Sequence, residues 1–235
     1  MNPIASITSQ DEKQRRSSVA LLPVGSWEQH GPCLPLSTDT LIACAITREI
    51  AARYPVLELS PITISCSHEH SRWPGTVSIS HRTLSAVIID IAASLLAAGI
   101  HHLVLVNAHG GNYVLSNIVQ EGNAATPRSM ALFPRSDDWC AARSAAGLVS
   151  TYQEDMHAGE VETSILLHAH PEVVRPGWED LDEVTDRPYL LIHGMGAYTK
   201  TGVIGRPSFA SAEKGQALLL HLAARFGELL GVLTG

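Results

Sequence analysis

The chain has 235 residues, of which 45% are hydrophobic and 17% charged, and its formal net charge is −7. This length and composition suit one folded domain with a sizeable core, and they argue against a fibrous or disordered chain. The longest basic cluster is the short segment 13–16. Binding to nucleic acid needs a concentrated basic face, so the charge pattern disfavours that partner and favours a small or neutral substrate.

Cysteine usage and hydropathy indicate the compartment. The four cysteines form no C-x-x-C pair, and residues 1–18 are polar and lack an apolar signal core. The longest apolar run, residues 84–100, contains Asp90 and is too short and too polar for a membrane span. We therefore expect a cytoplasmic protein with no membrane partner. It should form a single domain over 1–235, with 1–17 as a flexible segment.

Strand-like and helix-like patterns alternate along the chain. Apolar runs bounded by turn residues predict strands at 19–24, 56–65, 102–106 and 129–133. Amphipathic or capped segments predict helices at 38–54, 83–98, 113–122, 137–146, 160–168 and 212–230. This alternation is typical of a mostly parallel sheet covered by helices on both faces. Ligands bind such sheets beyond the carboxyl ends of the strands.

Potential metal ligands first occur just after the first predicted strand. Glu28 and His30 are two residues apart, so in an extended segment their side chains point the same way. Asp39 follows in the first turn of the next predicted helix. Carboxylate and imidazole ligands together suit Zn, Mn or Fe. A surface Glu and His with an ordinary helix-capping Asp is the alternative for this motif alone.

The segment 65–76 carries His68, Glu69 and His70, followed by Trp73, Pro74, Gly75 and Thr76. Two histidines beside a glutamate could bind metal, but the other motifs supply enough ligands. We interpret this segment as lining for a substrate site, with a solvated loop as the alternative.

A third motif directly follows the strand predicted at 102–106. It contains His109, Gly110, Gly111 and Asn112. A histidine at the end of a strand can reach into the crevice, and the glycines let the backbone stay close. An incidental histidine in a glycine turn is equally compatible with this motif by itself.

The fourth motif combines His157 with Glu160 and Glu162. If a helix begins near Gly159, the two glutamates lie about 200° apart around its axis and must have different partners. The alternative is that both acids merely complement the helix dipole. Together, the motifs offer enough carboxylates and imidazoles for two divalent ions if one carboxylate bridges them. Such a pair can activate water and polarise a carbonyl group.

These residues resemble the creatininase (creatinine amidohydrolase) family. The matching stretches are GSWEQHGPCLPLSTD at 25–39, EHSRWPGT at 69–76, NAHGGN at 107–112, HAGEVETS at 157–164 and GVIGRPSFASAEKG at 202–215. The resemblance implies a three-layer α/β/α sandwich, hydrolysis of a C–N bond by a metal-activated water, and two divalent ions per chain. Zinc is the expected metal, with Mn²⁺ or Fe²⁺ as alternatives. A hexamer built as a trimer of dimers is the expected assembly.

The resemblance also implies residue roles. Glu28 and His109 would hold one metal and His30 the other, with Asp39 bridging. True creatininases carry a glutamate at the position of Gly111, so we expect Glu160 to supply the missing ligand. His157 would carry a proton to the leaving nitrogen, with Glu162 orienting it. The residues expected to contact substrate are Glu69, His70, Trp73, Gly75, Thr76, Gly110, Gly111 and Asn112.

Gly111 argues against creatinine as the substrate. Within the family, the chain resembles the formamide-cleaving deformylases and the peptidases that trim a cofactor-precursor peptide more than creatininase itself. We expect a small-molecule or short-peptide substrate. Two other hypotheses stay open from the sequence. One is a catalytically idle metal-binding or assembly protein of the same fold, and the other is an amidase with Cys33 or Cys66 as nucleophile.

Overall fold

The computed structural model describes residues 6–235. Its strands are β1 (Val19–Val24), β2 (Leu57–Glu58), β3 (His102–Asn107) and β4 (Met130–Phe133). Its helices are α1 (Ser9–Arg15), α2 (Thr38–Ala51), α3 (His81–Ala97), α4 (Leu115–Ala125), α5 (Ser136–Ala145), α6 (Glu160–Ala169), α7 (Leu190–His193) and α8 (Ala212–Thr234). All strand pairs are parallel, in the order β2-β1-β3-β4.

Helices cover both faces of this sheet. Successive β1 side chains point to opposite faces, so Leu21 packs in the core formed with α2, α5, α6 and α8, whereas Leu22 packs against α3 and α4. Strands buried on both sides need continuous apolar sequences, which β1 and β3 have. The predicted three-layer α/β/α sandwich with a parallel sheet is therefore confirmed.

The edge strand β2 is shorter than the extended segment predicted at 56–65. Only two residues form a regular ladder, because Pro61 lacks an amide donor. The chain nevertheless stays beside β1, since the amides of Leu59 and Ile62 donate to the carbonyls of Leu21 and Pro23, each at 2.9 Å.

The amino-terminal segment 1–17, which we expected to be flexible, contains a short helix. Residues 1–5 lie outside the described part of the chain. Beyond them, Thr8 caps α1 through a reciprocal bond with Asp11. Arg15 then ties the helix to the domain, donating to the Val56 carbonyl at 2.8 Å.

Helix α8 is long and apolar enough to cross a bilayer by length and composition. One of its faces packs into the core through Leu218, Leu222 and Phe226, all fully buried. A helix with one apolar core-facing stripe is typical of a globular domain.

Gly25 lets the end of β1 meet the start of α2. A Cβ at this position would overlap the Thr40 backbone, so only glycine permits this approach. The contact places Asp39, in the first turn of α2, directly beside the residues that follow β1.

Candidate metal centre and active site

A cavity of about 460 Å³ opens beyond the carboxyl ends of β1 and β3. Four residues for which we predicted a metal-binding or catalytic role line it: Glu28, His109, His157 and Glu162. His30 and Asp39 lie directly behind them and are almost fully buried. The location agrees with the rule for parallel sheets, because residues after strand ends converge at one edge.

Three histidines of the site bond backbone carbonyls in the same way. His30 Nδ1 lies 3.0 Å from the Glu28 carbonyl oxygen, His109 Nε2 lies 2.8 Å from that of Cys66, and His157 Nε2 lies 2.7 Å from that of Gln29. A carbonyl only accepts, so each of these nitrogens must carry the proton. The second nitrogen of each ring therefore faces the centre, which is the usual arrangement of metal-binding histidines.

Asp39 lies between two of these imidazoles. Its Oδ1 is 3.0 Å from His30 Nε2, and its Oδ2 is 3.1 Å from His109 Nδ1. Ser26 donates a hydrogen bond of 2.7 Å to Oδ2, which fixes the carboxylate plane. Each oxygen faces a different ring nitrogen, so Asp39 has the geometry of a bridging carboxylate.

Glu28 is fully buried, yet neither of its oxygens has a hydrogen-bond partner in the described part of the chain. His109 Nδ1 and His70 Nε2 lie 3.2 and 3.4 Å from Oε1 without well-directed bonds. An unsatisfied buried carboxylate is costly unless a cation compensates it. A divalent ion fits this requirement.

Within residues 6–235, three groups of ligand-type atoms lie close enough to share an ion. One comprises Glu28, Asp39 and His109, and a second comprises His30, Asp39 and Glu162. The third joins Glu28 and His30 to His157. Because Asp39 belongs to the first two groups, two neighbouring ions could share it.

Glu160 does not join any of these groups among residues 6–235, so our assignment of Glu160 as a metal ligand is corrected. Its carboxylate accepts from the Ser150 amide at 2.8 Å and pairs with Lys214 Nζ at 2.6 Å. It also accepts bonds from the Val149 amide. Glu160 thus joins α6 to α8 and to the preceding loop.

Glu162 lies near His30 and Asp39, where we had expected Glu160. Its Oε2 lies 3.7 Å from His30 Nε2 and accepts a 2.6 Å bond from the Ala158 amide. The opposed directions of the two glutamates follow from helical geometry, as expected. The choice between them depends on how α6 packs against α8, because Lys214 attracts Glu160 to that interface.

The charges of the cluster favour a positive charge at its centre. Burial disfavours the protonated form of His30, but Asp39 outweighs this effect and raises the pKa of His30 to about 9. Burial opposes the charge on His109 too, yet Glu28 and Asp39 raise its pKa well above the usual range. A proton or a metal ion can supply this positive charge. Burial lowers the pKa of His70 to about 4, so that ring is neutral.

The residues expected to contact substrate divide into two sets. Glu69, His70, Gly110 and Gly111 line the cavity. Trp73, Gly75, Thr76 and Asn112 are not among the described residues that line it.

The second set has structural contacts instead. Thr76 Oγ1 accepts a hydrogen bond from the backbone amide of Gln29 at 3.1 Å, and Gly75 packs against Leu36. Asn112 bonds Asn107 Oδ1 at 3.0 Å inside the motif. These residues hold the loops that form the site.

Gln29 is a site residue that our sequence analysis missed. Its amide Nε2 donates to the Gly202 carbonyl at 3.0 Å and lies 3.1 Å from His70 Nδ1. Because that amide can only donate, His70 must accept at Nδ1 and direct its Nε2 proton toward Glu28. The sole sequence signal for Gln29 is its position between Glu28 and His30.

Asp155 and Arg143 were also missed. Asp155 accepts from the amides of Glu160 and Val161 at 2.7 and 3.1 Å and pairs with Arg143 Nη1 at 2.7 Å. These bonds cap the start of α6, the helix that carries Glu162. Both residues line the cavity.

The two candidate cysteine nucleophiles have unfavourable surroundings. Burial raises the pKa values of the Cys33 and Cys66 thiols. A nucleophilic cysteine needs a lowered pKa to form thiolate, so these thiols resemble structural cysteines.

Comparisons with known proteins give a consistent result over most of the chain. A family model described as "Creatininase: Creatinine amidohydrolase" matches residues 5–230. The "Mycofactocin precursor peptide peptidase" of Mycobacterium ulcerans (strain Agy99) is 35% identical over 224 residues, which cover 86% of this chain and 80% of the relative. The "Creatinine amidohydrolase" of Pseudomonas putida is 28% identical over 226 residues, covering 86% and 84%.

A solved structure of creatinine amidohydrolase (creatininase) superposes with a TM-score of 0.79 at 24% sequence identity. The superposition covers 96% of this chain and 95% of that one, which shows the shared fold.

Proposed function

Because the chain belongs to the creatininase family of amidohydrolases, we propose that it is a two-metal hydrolase that cleaves a C–N bond of a peptide-like substrate. The observation that carries the proposal is the sharing of Asp39 between two groups of ligand atoms. One ion would be held by Glu28, Asp39 and His109, and the other by His30, Asp39 and Glu162. Zinc is the preferred metal, with Mn²⁺ or Fe²⁺ as alternatives.

The donor set supports this proposal. Glu28 is buried and unsatisfied in the described chain, and the two ligand imidazoles, His30 and His109, are oriented by backbone carbonyls. Solved creatininase structures include one described with Mn and one of Zn–Zn type. When bound, divalent ions polarise a carbonyl oxygen and lower the pKa of water. The protein's own residues orient the substrate and move the protons.

Two observations favour a peptide-like substrate. The relative with 35% identity is named as a peptidase of a precursor peptide. Position 111 is glycine, where creatininases carry a glutamate, and a Cβ here would overlap Glu69 Oε1 and His109 Nε2. The side chain of Glu69 thus occupies space that a side chain at 111 would need. Assembly as a hexamer and a cytoplasmic location remain predictions.

His157 is the proposed proton carrier. Its Nε2–H donates a hydrogen bond to the Gln29 carbonyl oxygen. The other ring nitrogen, Nδ1, is therefore the atom that can accept a proton from the cavity. The backbone of His157 is held by two bonds of 2.9 Å with Ile204. Glu162 contacts His30 instead of orienting His157, so the role that we first gave to Glu162 is replaced by that of a ligand.

We expect His157→Ala to retain its metal and fold but to lose about 10²–10⁴-fold in kcat, the usual contribution of general acid–base catalysis. Metal content by mass spectrometry and steady-state kinetics test this. His170→Ala is the control, because His170 is buried at the far end of α6. If the His157→Ala protein lacks metal, His157 is a metal ligand and not the proton carrier, a role that its proximity to Glu28 and His30 allows.

The function is tested by turnover of short peptides, formamides and lactams by the metal-loaded protein. We expect hydrolysis that a chelator abolishes and added zinc or manganese restores, while a thiol-blocking reagent leaves it intact. Activity that survives chelation and is lost on thiol blocking would establish the cysteine mechanism instead. Metal binding without any turnover would support the catalytically idle alternative.

A further inference from the structure

A second cavity, of about 640 Å³, adjoins the one at the metal centre. The two share Glu69, Gly111 and Tyr113 in their linings, so they meet at these residues. Pockets of roughly 300–1,000 Å³ suffice for drug-sized ligands, and the first cavity is already in that range. A small cyclic amide would therefore leave the second cavity without a ligand.

Gly111 lines both cavities at the place where they meet. Any side chain at this position would have to displace the Glu69 carboxylate, as its Cβ overlaps Oε1. The absence of a side chain at this position therefore leaves room for the Glu69 carboxylate where the two cavities meet. Because the cavities share lining residues, a chain-like substrate could extend from the first cavity into the second.

The lining of the second cavity combines apolar and basic groups, and its one acidic group among the described residues, Glu69, lies where it meets the first cavity. Leu191 and Ile192 of α7 are 77% and 75% exposed and border it, so two adjacent apolar side chains are available to a ligand there. Arg72 also borders it and makes no ion pair within residues 6–235. His81 and His193 add two more groups that can donate hydrogen bonds.

We propose that the second cavity is a subsite for the part of a peptide substrate that carries a carboxylate next to an apolar side chain. Arg72 binds the carboxylate, and Leu191 and Ile192 cover the apolar side chain. Guanidinium groups suit this task because they donate paired hydrogen bonds to carboxylates. The carboxylate is either the carboxyl terminus of the peptide or an acidic side chain. This proposal rests on the proposed hydrolase function.

The experiment uses the metal-loaded protein and N-acetylated peptides of two to six residues that end in leucine. Each peptide is prepared in three forms. The first has a free carboxyl terminus, the second has an amidated terminus, and the third has an amidated terminus with glutamate as the residue before the final leucine. We expect wild-type kcat/KM to be about tenfold higher for one carboxylate-bearing form than for the plain amide, the usual effect of a charge-assisted hydrogen bond. The preferred form identifies the source of the carboxylate.

Arg72→Ala should abolish this preference, and Leu191→Ser should raise KM for every peptide. Arg53→Ala is the matched control, because Arg53 is an exposed arginine beyond the far end of α2. An unchanged preference in Arg72→Ala would overturn the subsite and leave the hydrolase function intact. The same conclusion would follow if the protein hydrolyses formamides but no peptide is cleaved or competes. If neither class is hydrolysed, the hydrolase function itself fails, and the subsite with it.

Discussion

Asp39→Ala is expected to lose both metal ions and to lower turnover by more than about 10³-fold, because two-metal hydrolysis depends on charge stabilisation worth several kcal/mol. The two Asp39 oxygens face different imidazoles, at 3.0 Å from His30 and 3.1 Å from His109. Removing a ligand of only one ion would spare the other. Without the shared carboxylate, one ion would keep only Glu28 and His109 as protein ligands, and the other only His30 and Glu162. Catalytic zinc sites usually have three protein ligands, so neither ion should stay bound.

Metal content by mass spectrometry, together with circular dichroism to check the fold, tests this prediction. Asp137→Ala is the matched control, since Asp137 also lies in the first turn of a helix but is exposed. It should retain full metal content and turnover. An Asp39→Ala protein with a full complement of metal would contradict the bridging role.

Glu162→Gln and Glu160→Gln are expected to behave in opposite ways. Glu162 lies beside His30 and Asp39, so its amide variant should lose one ion per chain and nearly all activity. Glu160 lies with Ser150 and Lys214, away from the centre. Its amide variant should retain both ions and most activity. Its stability should fall by roughly 1–3 kcal/mol, the usual cost of weakening buried hydrogen bonds to a charged group.

The two variants control for each other, because both replace a glutamate in the first turn of α6 by its amide. Metal analysis and thermal unfolding in excess chelator separate the effects. Unfolding measured without metal reports the contacts that each glutamate makes with the protein, separately from any contribution of a bound ion. Loss of an ion from Glu160→Gln, with a normal metal content in Glu162→Gln, would reverse our correction and restore the original assignment.

The fold, and most of the residues that meet at the candidate metal centre, could be predicted from local sequence patterns. Glu28, His30, Asp39 and His109 occur where strands end or a helix begins, and a parallel sheet brings such positions together. The choice between Glu160 and Glu162 could not be predicted in this way. It depends on an ion pair with Lys214, 54 residues further along the chain.

Other residues were missed for related reasons. No sequence pattern shows that the Gln29 side chain lies beside His70, His157 and the Gly202 carbonyl. The pairing of Asp155 with Arg143 likewise depends on tertiary packing. Helix α1, within the segment that we expected to be flexible, was missed because we did not recognise the capping box of Thr8 and Asp11.

The most direct test of the account is the number of ions that the chain binds at its centre. Protein stripped by a chelator and titrated calorimetrically with zinc should bind two ions per chain, and Asp39→Ala should bind neither at comparable affinity. The second equivalent should restore the hydrolysis of a short peptide. Saturation at one ion with full activity, or binding of two ions that does not require Asp39, would contradict the proposed two-metal centre.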